Sequence, residues 1–263
     1  MFSSPRAAHP RGLALLCALV VALPSAAQEL TIPEVVRQAG PAVVFIRTYD
    51  AAGRQVTMGS GFAAPDGRIV TNVHVVAGAA RAEVYGADGA LLGTVPSAEA
   101  LSRDTDLAVL PVPGAPPVRL ALAADQPEVG EALVVIGSPE GFANTVSEGI
   151  VSAYRTVEGQ PLMQISAPIS HGSSGGPVLN RRAEVVGVSV AVWAGGQNLN
   201  FAVPLDDLRR VLAAEPELLA FPAPASGRAA GEYASGSQGR FRLRRLAVPL
   251  EPAGELCPVP DDG

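Results

Sequence analysis

The sequence predicts an all-β fold, a sandwich or a barrel, arranged in two halves. Two observations carry this. Between Thr31 and Pro204 short apolar runs recur between Gly, Pro and Asp turns, and few windows hold a helical period. Midway, Pro111 to Pro117 holds four prolines and a glycine and reads as a segment that crosses between halves. A chain of 263 residues is long enough for one domain of two lobes, each with its own core.

The first 27 residues stand outside this pattern. Arg6 and Arg11 are followed by an apolar run from Leu13 to Leu23, then Pro24 and the small residues Ser25, Ala26 and Ala27. This is the layout of a signal peptide over 1–27, and an uncleaved anchor is the alternative. No later segment is long and apolar enough to span a membrane. Leu16 is not the small residue that lipid attachment at Cys17 requires, so no lipid anchor is expected. With the leader removed only Cys257 remains, so no intrachain disulfide can form.

Further along, Thr31 to Ala39 reads as a short helix, with Thr31 as N-cap and Pro33 in the first turn. Ala42 to Ile46 is a strand bounded by Gly40 and Pro41. Gly61-Phe62 leads into the turn Pro65-Asp66-Gly67, and Arg68 to Val76 follows as a strand. Leu107 to Leu110, Ala132 to Ile136, Leu162 to Ser166, Val185 to Val192 and Asn200 to Val203 are further strands, and Asp206 to Ala214 is a helix capped by Asp206. These elements place an N-terminal lobe at 28–120 and a C-terminal lobe at 121–215. Residues 216–263 are expected as a tail: Pro216 to Gly239 is rich in Ala, Pro, Gly and Ser, Arg240 to Leu250 alternates basic and apolar residues as one added strand would, and Glu251 to Gly263 is acidic.

The net charge of −6 argues against a general nucleic-acid surface. Every basic side chain is Arg; the chain has no Lys, which removes any Ser–Lys dyad.

Chemistry concentrates in Gly172-Ser173-Ser174-Gly175-Gly176-Pro177. A serine flanked by glycines lets a substrate carbonyl approach the backbone, whose N–H groups can hold an oxyanion. A flexible Gly/Ser loop is the plainer reading of the same residues. The segment also fits a nucleophile elbow, whose triad runs in the order Ser, acid, His. The histidines are His9, His74 and His171, and none follows Ser174, so that order fails. His9 lies in the leader, and His171 is too near Ser174 in sequence to reach it from an opposite lobe; it reads as a rim residue. His74 remains as a base, although a lone histidine at the end of an apolar strand is more often a satisfied core residue. Asp88, Asp104, Asp106 and Asp125 are the acids considered between His74 and Ser174. Asp106 directly precedes the apolar run Leu107 to Leu110, at the edge of a buried strand, where a carboxylate could fix a histidine tautomer. On composition alone Asp106 and its rivals stay even.

Four segments then add a resemblance: Thr71-Asn72-Val73-His74-Val75-Val76, Asp106-Leu107-Ala108-Val109-Leu110, Gly172-Ser173-Ser174-Gly175-Gly176-Pro177 and Asn200-Phe201-Ala202-Val203-Pro204. In this order, over about Val43 to Leu208, they resemble the trypsin-like serine proteases of the HtrA (Deg) type. The resemblance implies two six-stranded antiparallel β-barrels of chymotrypsin-like form with the active site between them. It assigns the base to His74, the orienting acid to Asp106 and the nucleophile to Ser174, with the N–H groups of Gly172 and Ser174 as oxyanion hole. Ser173 stands where the family usually has Asn, and His171 where it usually has Pro. About 50 residues follow Leu212, too few for the PDZ domain that members usually carry, so none is expected.

By the same resemblance Ile169, Val190, Val192, Trp193 and Ala202 are the candidate substrate-pocket residues. The pocket segments contain no Asp or Glu, so a basic P1 side chain would be buried without a counter-charge. Trp193 reads equally as a core aromatic at a lobe edge. The expected function is a serine endopeptidase cutting unfolded or extended polypeptides in the periplasm or outside the cell, with no cofactor, no metal and no nucleic-acid partner. The alternative is a catalytically weak binding or chaperone-like module on the same fold.

Overall fold

The computed structural model describes residues 29–138, 144–157, 159–169, 172–192 and 200–222. The signal-peptide segment, Cys17, His171, Trp193, the basic-apolar run from Arg240 and Cys257 lie outside these residues.

Helix α1, Ile32–Ala39, begins where its capping residues indicate: the Glu34 carboxylate accepts from both the backbone N–H and the hydroxyl of Thr31, at 2.8 and 2.6 Å. Val35 and Ala39 bury one face, and a 3-10 turn over Gly40–Ala42 delivers the chain into β1, Val43–Tyr49. Val43 to Ile46 are buried without alternation, because both faces of this strand are covered.

The first lobe continues with β2 (Gln55–Ala63), β3 (Ile69–Asn72), the one-turn helix α2 (Val73–Val76), β4 (Arg81–Tyr85), β5 (Leu91–Val95), β6 (Ser97–Ala98), β7 (Ala100–Ser102) and β8 (Leu107–Leu110). The turn between β2 and β3 closes with the Gly67 N–H on the Ala64 carbonyl, 2.9 Å, as Pro65-Asp66-Gly67 predicts. The sheet runs in the order β5-β4-β1-β2-β3-β8-β7. This lobe is the chymotrypsin-like half-barrel: a curled sheet of seven strands rather than six, with its edges open. β6, which lies between β5 and β7 in the chain, does not join their edges; it pairs elsewhere.

The second lobe is a closed six-stranded barrel, β10-β11-β14-β13-β12-β9, from β9 (Ala132–Gly137), β10 (Thr145–Val157), β11 (Gln160–Ile165), β12 (Pro177–Leu179), β13 (Val185–Val192) and β14 (Asn200–Pro204). Strand β9 shows why its sequence is a continuous apolar run. Successive side chains point to opposite faces. Leu133 and Val135 join the apolar cluster containing Met163, Ile165 and Ala202, whereas Val134 and Ile136 join the cluster that continues into the first lobe with Val43, Phe62 and Val70. One strand thus belongs to two cores.

Helix α3, Leu205–Leu212, follows β14 and packs on β13 and β14 of the second lobe and on β7 and β8 of the first. Its N-cap is Pro204, so Asp206 sits in the first turn rather than at the cap. The turn of β14 into the helix comes earlier because Leu205 and Leu208 both bury fully. Residues 216–222, expected as the start of a linker, are ordered against the first lobe. The Glu217 N–H donates to the Glu99 carbonyl, β15 (Leu219–Ala220) pairs with β6, and the Gly78 N–H donates to the Pro222 carbonyl at 2.7 Å. Phe221 packs on the larger core, which is the apolar gain that holds the strap down.

Candidate active site

β3 and β8 pair with Asn72 opposite Leu107, so Asp106 arrives beside the residues that leave β3. The chain was expected to remain extended to Val76. Instead the strand ends at Asn72 and Val73–Val76 form one helical turn. The reason is a set of hydrogen bonds from a residue more than thirty positions away. The Asp106 carbonyl accepts from the Val73 N–H at 3.1 Å and from Asn72 Nδ2 at 2.9 Å, and Asp106 Oδ1 accepts from the His74 N–H at 3.0 Å. The Val73 and His74 N–H groups are orphan donors of a helix start, satisfied from outside the helix. Val73, Val75 and Val76 are buried and anchor the turn.

The second carboxylate oxygen of Asp106 lies 2.6 Å from His74 Nδ1. A carboxylate only accepts, so this contact places the proton on Nδ1 and leaves a lone pair on Nε2. The Asp106 side chain is 1% exposed and that of His74 11%. His74 Nε2 has no hydrogen-bond partner among the described residues. Asp106 holds a positive φ of 58°, a region that Asp and Asn enter more readily than most residues.

The serine loop of the second lobe lies directly against this turn. A Cβ on Gly59 would stand 2.7 Å from Val75 Cγ2 and 3.1 Å from the Ser174 carbonyl oxygen, so α2 and Ser174 flank the same point of β2. Gly175 has a φ of +87°, and a Cβ there would meet the Ser60 carbonyl at 2.2 Å and Thr71 Oγ1 at 2.5 Å. Only glycine fits both demands. Ser173 turns toward β9: a Cβ on Gly137 would stand 2.9 Å from Ser173 Oγ. Ser173 and Ser174 are both buried.

Three hydroxyl residues with no hydrogen-bonding role evident in the sequence hold this region together. Ser60 Oγ donates to the Gly172 carbonyl at 2.6 Å and accepts from the Ser138 N–H at 2.8 Å, and the Ser60 N–H donates to the Ser174 carbonyl at 2.8 Å. Thr71 Oγ1 donates to the Ser60 carbonyl at 2.8 Å. Ser189 Oγ donates to the Ser173 carbonyl at 2.6 Å. The signal for Ser60 was present: Gly59-Ser60-Gly61 inside a strand marks a close approach of other backbone.

Of the candidate pocket residues, Ile169 and Ala202 are buried in the same apolar cluster. Val190 lies in the other cluster, with Val188 and Phe201. Val192 ends β13 opposite Asn200. The segment before the serine loop is tied down by Asn200 Nδ2 donating to the Ala167 carbonyl at 2.8 Å and Ser147 Oγ donating to the Pro168 carbonyl at 2.6 Å.

A closed β-barrel packed on a curled β-sheet, with an aspartate-held histidine on one lobe beside a glycine-flanked serine on the other, defines a class: the trypsin-like peptidases. Comparison with known proteins agrees. Residues 59–188 match the family model of the trypsin-like peptidase domain. The chain is 36% identical over 210 residues to the serine protease HTRA1A of Danio rerio, covering 72% of this chain and 42% of that protein. It is 38% identical over 165 residues to a DegP-like periplasmic serine endoprotease of Pseudomonas fluorescens, covering 57% of this chain and 33% of that one. Among solved structures, the active form of the Rv3671c protease from M. tuberculosis superposes with a TM-score of 0.63 at 27% identity, over 72% of this chain and 88% of that one. The chain carries a trypsin-like peptidase domain and is homologous to the HtrA and DegP serine proteases. It spans less than half the length of these curated relatives. Among the described residues no helix is long and apolar enough to cross a membrane.

Proposed function

We propose that this chain is a serine endopeptidase that hydrolyses peptide bonds in unfolded or extended polypeptides. The observation that carries the reading is the Asp106–His74 contact of 2.6 Å, which leaves His74 Nε2 unpartnered beside the Ser174 loop. In this mechanism Nε2 takes the Ser174 hydroxyl proton as Oγ attacks the substrate carbonyl. Asp106 stabilises the imidazolium, and the N–H groups of Gly172 and Ser174 hold the oxyanion. The imidazolium then protonates the departing amine, and water, activated by the same histidine, hydrolyses the acyl-enzyme. Ile169, Val190, Val192 and Ala202 form the P1 pocket in this reading. The leader-like start and the periplasmic DegP-like relative support export to the periplasm or the cell exterior.

The test is mass-spectrometric mapping of cut sites in an unfolded protein by the wild-type chain and by Ser174→Ala. Cuts by the wild type alone support the reading, and equal cutting by both overturns it. A second reading, a catalytically weak binding module, draws on the same unpartnered Nε2, because the Ser174–His74 hydrogen bond is not made in this structure. Fluorophosphonate labelling of Ser174 separates the two.

A further inference from the structure

We propose that Ser60, a residue of the first lobe, is a positioning residue that sets the oxyanion loop of the second. The inference rests on the reading of Ser174 as nucleophile and of the adjacent N–H groups as oxyanion donors. A peptide unit is planar, so gripping its carbonyl fixes the N–H across the same bond. Three successive units of the loop are gripped in this way. Unit 172–173 is held by its Gly172 carbonyl on Ser60 Oγ, 2.6 Å. Unit 173–174, which carries the Ser174 N–H, is held by its Ser173 carbonyl on Ser189 Oγ at 2.6 Å and on the Gly176 N–H at 3.0 Å. Unit 174–175 is held at both ends, by the Ser60 N–H on the Ser174 carbonyl at 2.8 Å and by the Gly175 N–H on the Ser189 carbonyl at 2.9 Å. Ser60 and Ser189 therefore act as two jaws, one from each lobe.

The Ser60 jaw is the one that governs Gly172. Gly172 has a φ of +88° and no side chain, so nothing local fixes its dihedral angles. Among the described residues the Ser60 hydroxyl is the hold on its carbonyl, and that hydroxyl is itself oriented. It accepts from Ser138 N–H at the end of β9, which leaves its single proton for Gly172. Ser60 is fully buried, so water does not substitute for it. Removing the hydroxyl frees unit 172–173 to rotate and, through glycine, releases the direction of the Gly172 N–H. Substrate binding does not use this hydroxyl; the loss falls on the transition state.

The experiment uses the full chain, an apolar-P1 peptide anilide, a peptide boronate and a fluorophosphonate probe. Ser60→Ala is expected to lower kcat by about 10²-fold, as loss of one oxyanion donor does, with KM nearly unchanged. Boronate affinity and fluorophosphonate labelling rate fall with kcat, because both engage the oxyanion hole. Ser60→Cys, with a weak donor of similar shape, follows the same pattern. Thr48→Val is the control: it deletes a buried hydroxyl that bridges β1 and β2 through Thr57, without touching the loop, and costs stability while leaving kcat intact. Unchanged kcat and labelling in Ser60→Ala overturn the proposal. So does failure of both Ser60 variants to fold, which makes the residue purely structural. No labelling of the wild-type chain defeats the nucleophile reading instead.

Discussion

Asp106 grips His74 twice, through the backbone N–H at 3.0 Å and through Nδ1 at 2.6 Å. The first bond builds the helical turn and the second orients the ring. Asp106→Asn separates these duties. Asn tolerates the φ of 58° and its amide oxygen can still accept one bond, so the chain should fold. Its amide cannot accept at both oxygen positions, and the imidazole tautomer is no longer held. Peptidase kcat/KM is expected to fall about 10⁴-fold with circular dichroism unchanged. Retained activity would remove Asp106 from the site.

Ser174→Ala should abolish cleavage, a loss on the order of 10⁴ to 10⁶ in rate, without unfolding the chain. Ser173→Ala should cost far less, because the Ser173 side chain turns toward Gly137 and β9. The check is single-turnover cleavage of a peptide anilide by both variants. A dead Ser173→Ala beside an active Ser174→Ala would reverse the assignment.

Peptides with small or medium apolar P1 residues should be cut ahead of those with Arg by about 10²-fold or more in kcat/KM. Ile169 and Ala202 are buried apolar residues, and no acid lies in the pocket segments to meet a guanidinium. Cut-site mapping reads this directly; enrichment of Arg at P1 would refute it.

A chain ending at residue 222 should keep its fold and activity, whereas one ending at residue 215 should lose about 1–3 kcal/mol of stability. The shorter form lacks β15, the Phe221 contact and the acceptor for the Gly78 N–H, four positions after His74. Urea denaturation of both chains measures the difference. Equal midpoints would show that the strap contributes nothing.

Stability should also fall in acid through a surface pair on β4. Tyr85 donates to Glu83 at 2.6 Å, which holds the Glu83 carboxyl below its ordinary value of 4.5 and pushes the Tyr85 phenol up to about 12. A depressed carboxyl pKa contributes stability above the ordinary value and loses it as pH falls through the lowered one. For the raised phenol, the contribution is complete below the ordinary 10.0 and fades as pH rises through about 12. Glu83→Gln should flatten the acid limb of thermal stability, and an unaltered limb would contradict this.

How much of this was legible depends on how local its cause is. β1, β8 and β9 stood out because stretches with both faces buried leave unbroken apolar runs. Helix α1 was announced by Thr31 and Pro33. β10 passed unnoticed: all but two of its thirteen residues are exposed or half-exposed, and they mix Thr, Ser, Glu, Gly and Arg with Val and Ile. The helical turn at His74 was hidden for another reason. Its sequence, Val73-His74-Val75-Val76, favours a strand locally, and the bonds that bend it come from Asp106. The open edge of the first sheet follows from β6 choosing β15, a partner roughly 120 positions away that no local pattern reveals.

That last pairing sets an order of events. Ribosomes release a chain from its N-terminus, so residues 97–98 emerge long before residues 219–220. The first lobe must wait for the last strand of the described chain before its final ribbon can close, and such distant pairings are slow to form. The chain just past the turn that carries His74 is tied to the same strap, by the Gly78 N–H on the Pro222 carbonyl. A nascent or truncated chain is therefore missing a contact beside its histidine until synthesis has passed the whole serine lobe. The architecture ties completion of the histidine lobe to arrival of the serine lobe, and a chain interrupted during synthesis has neither complete.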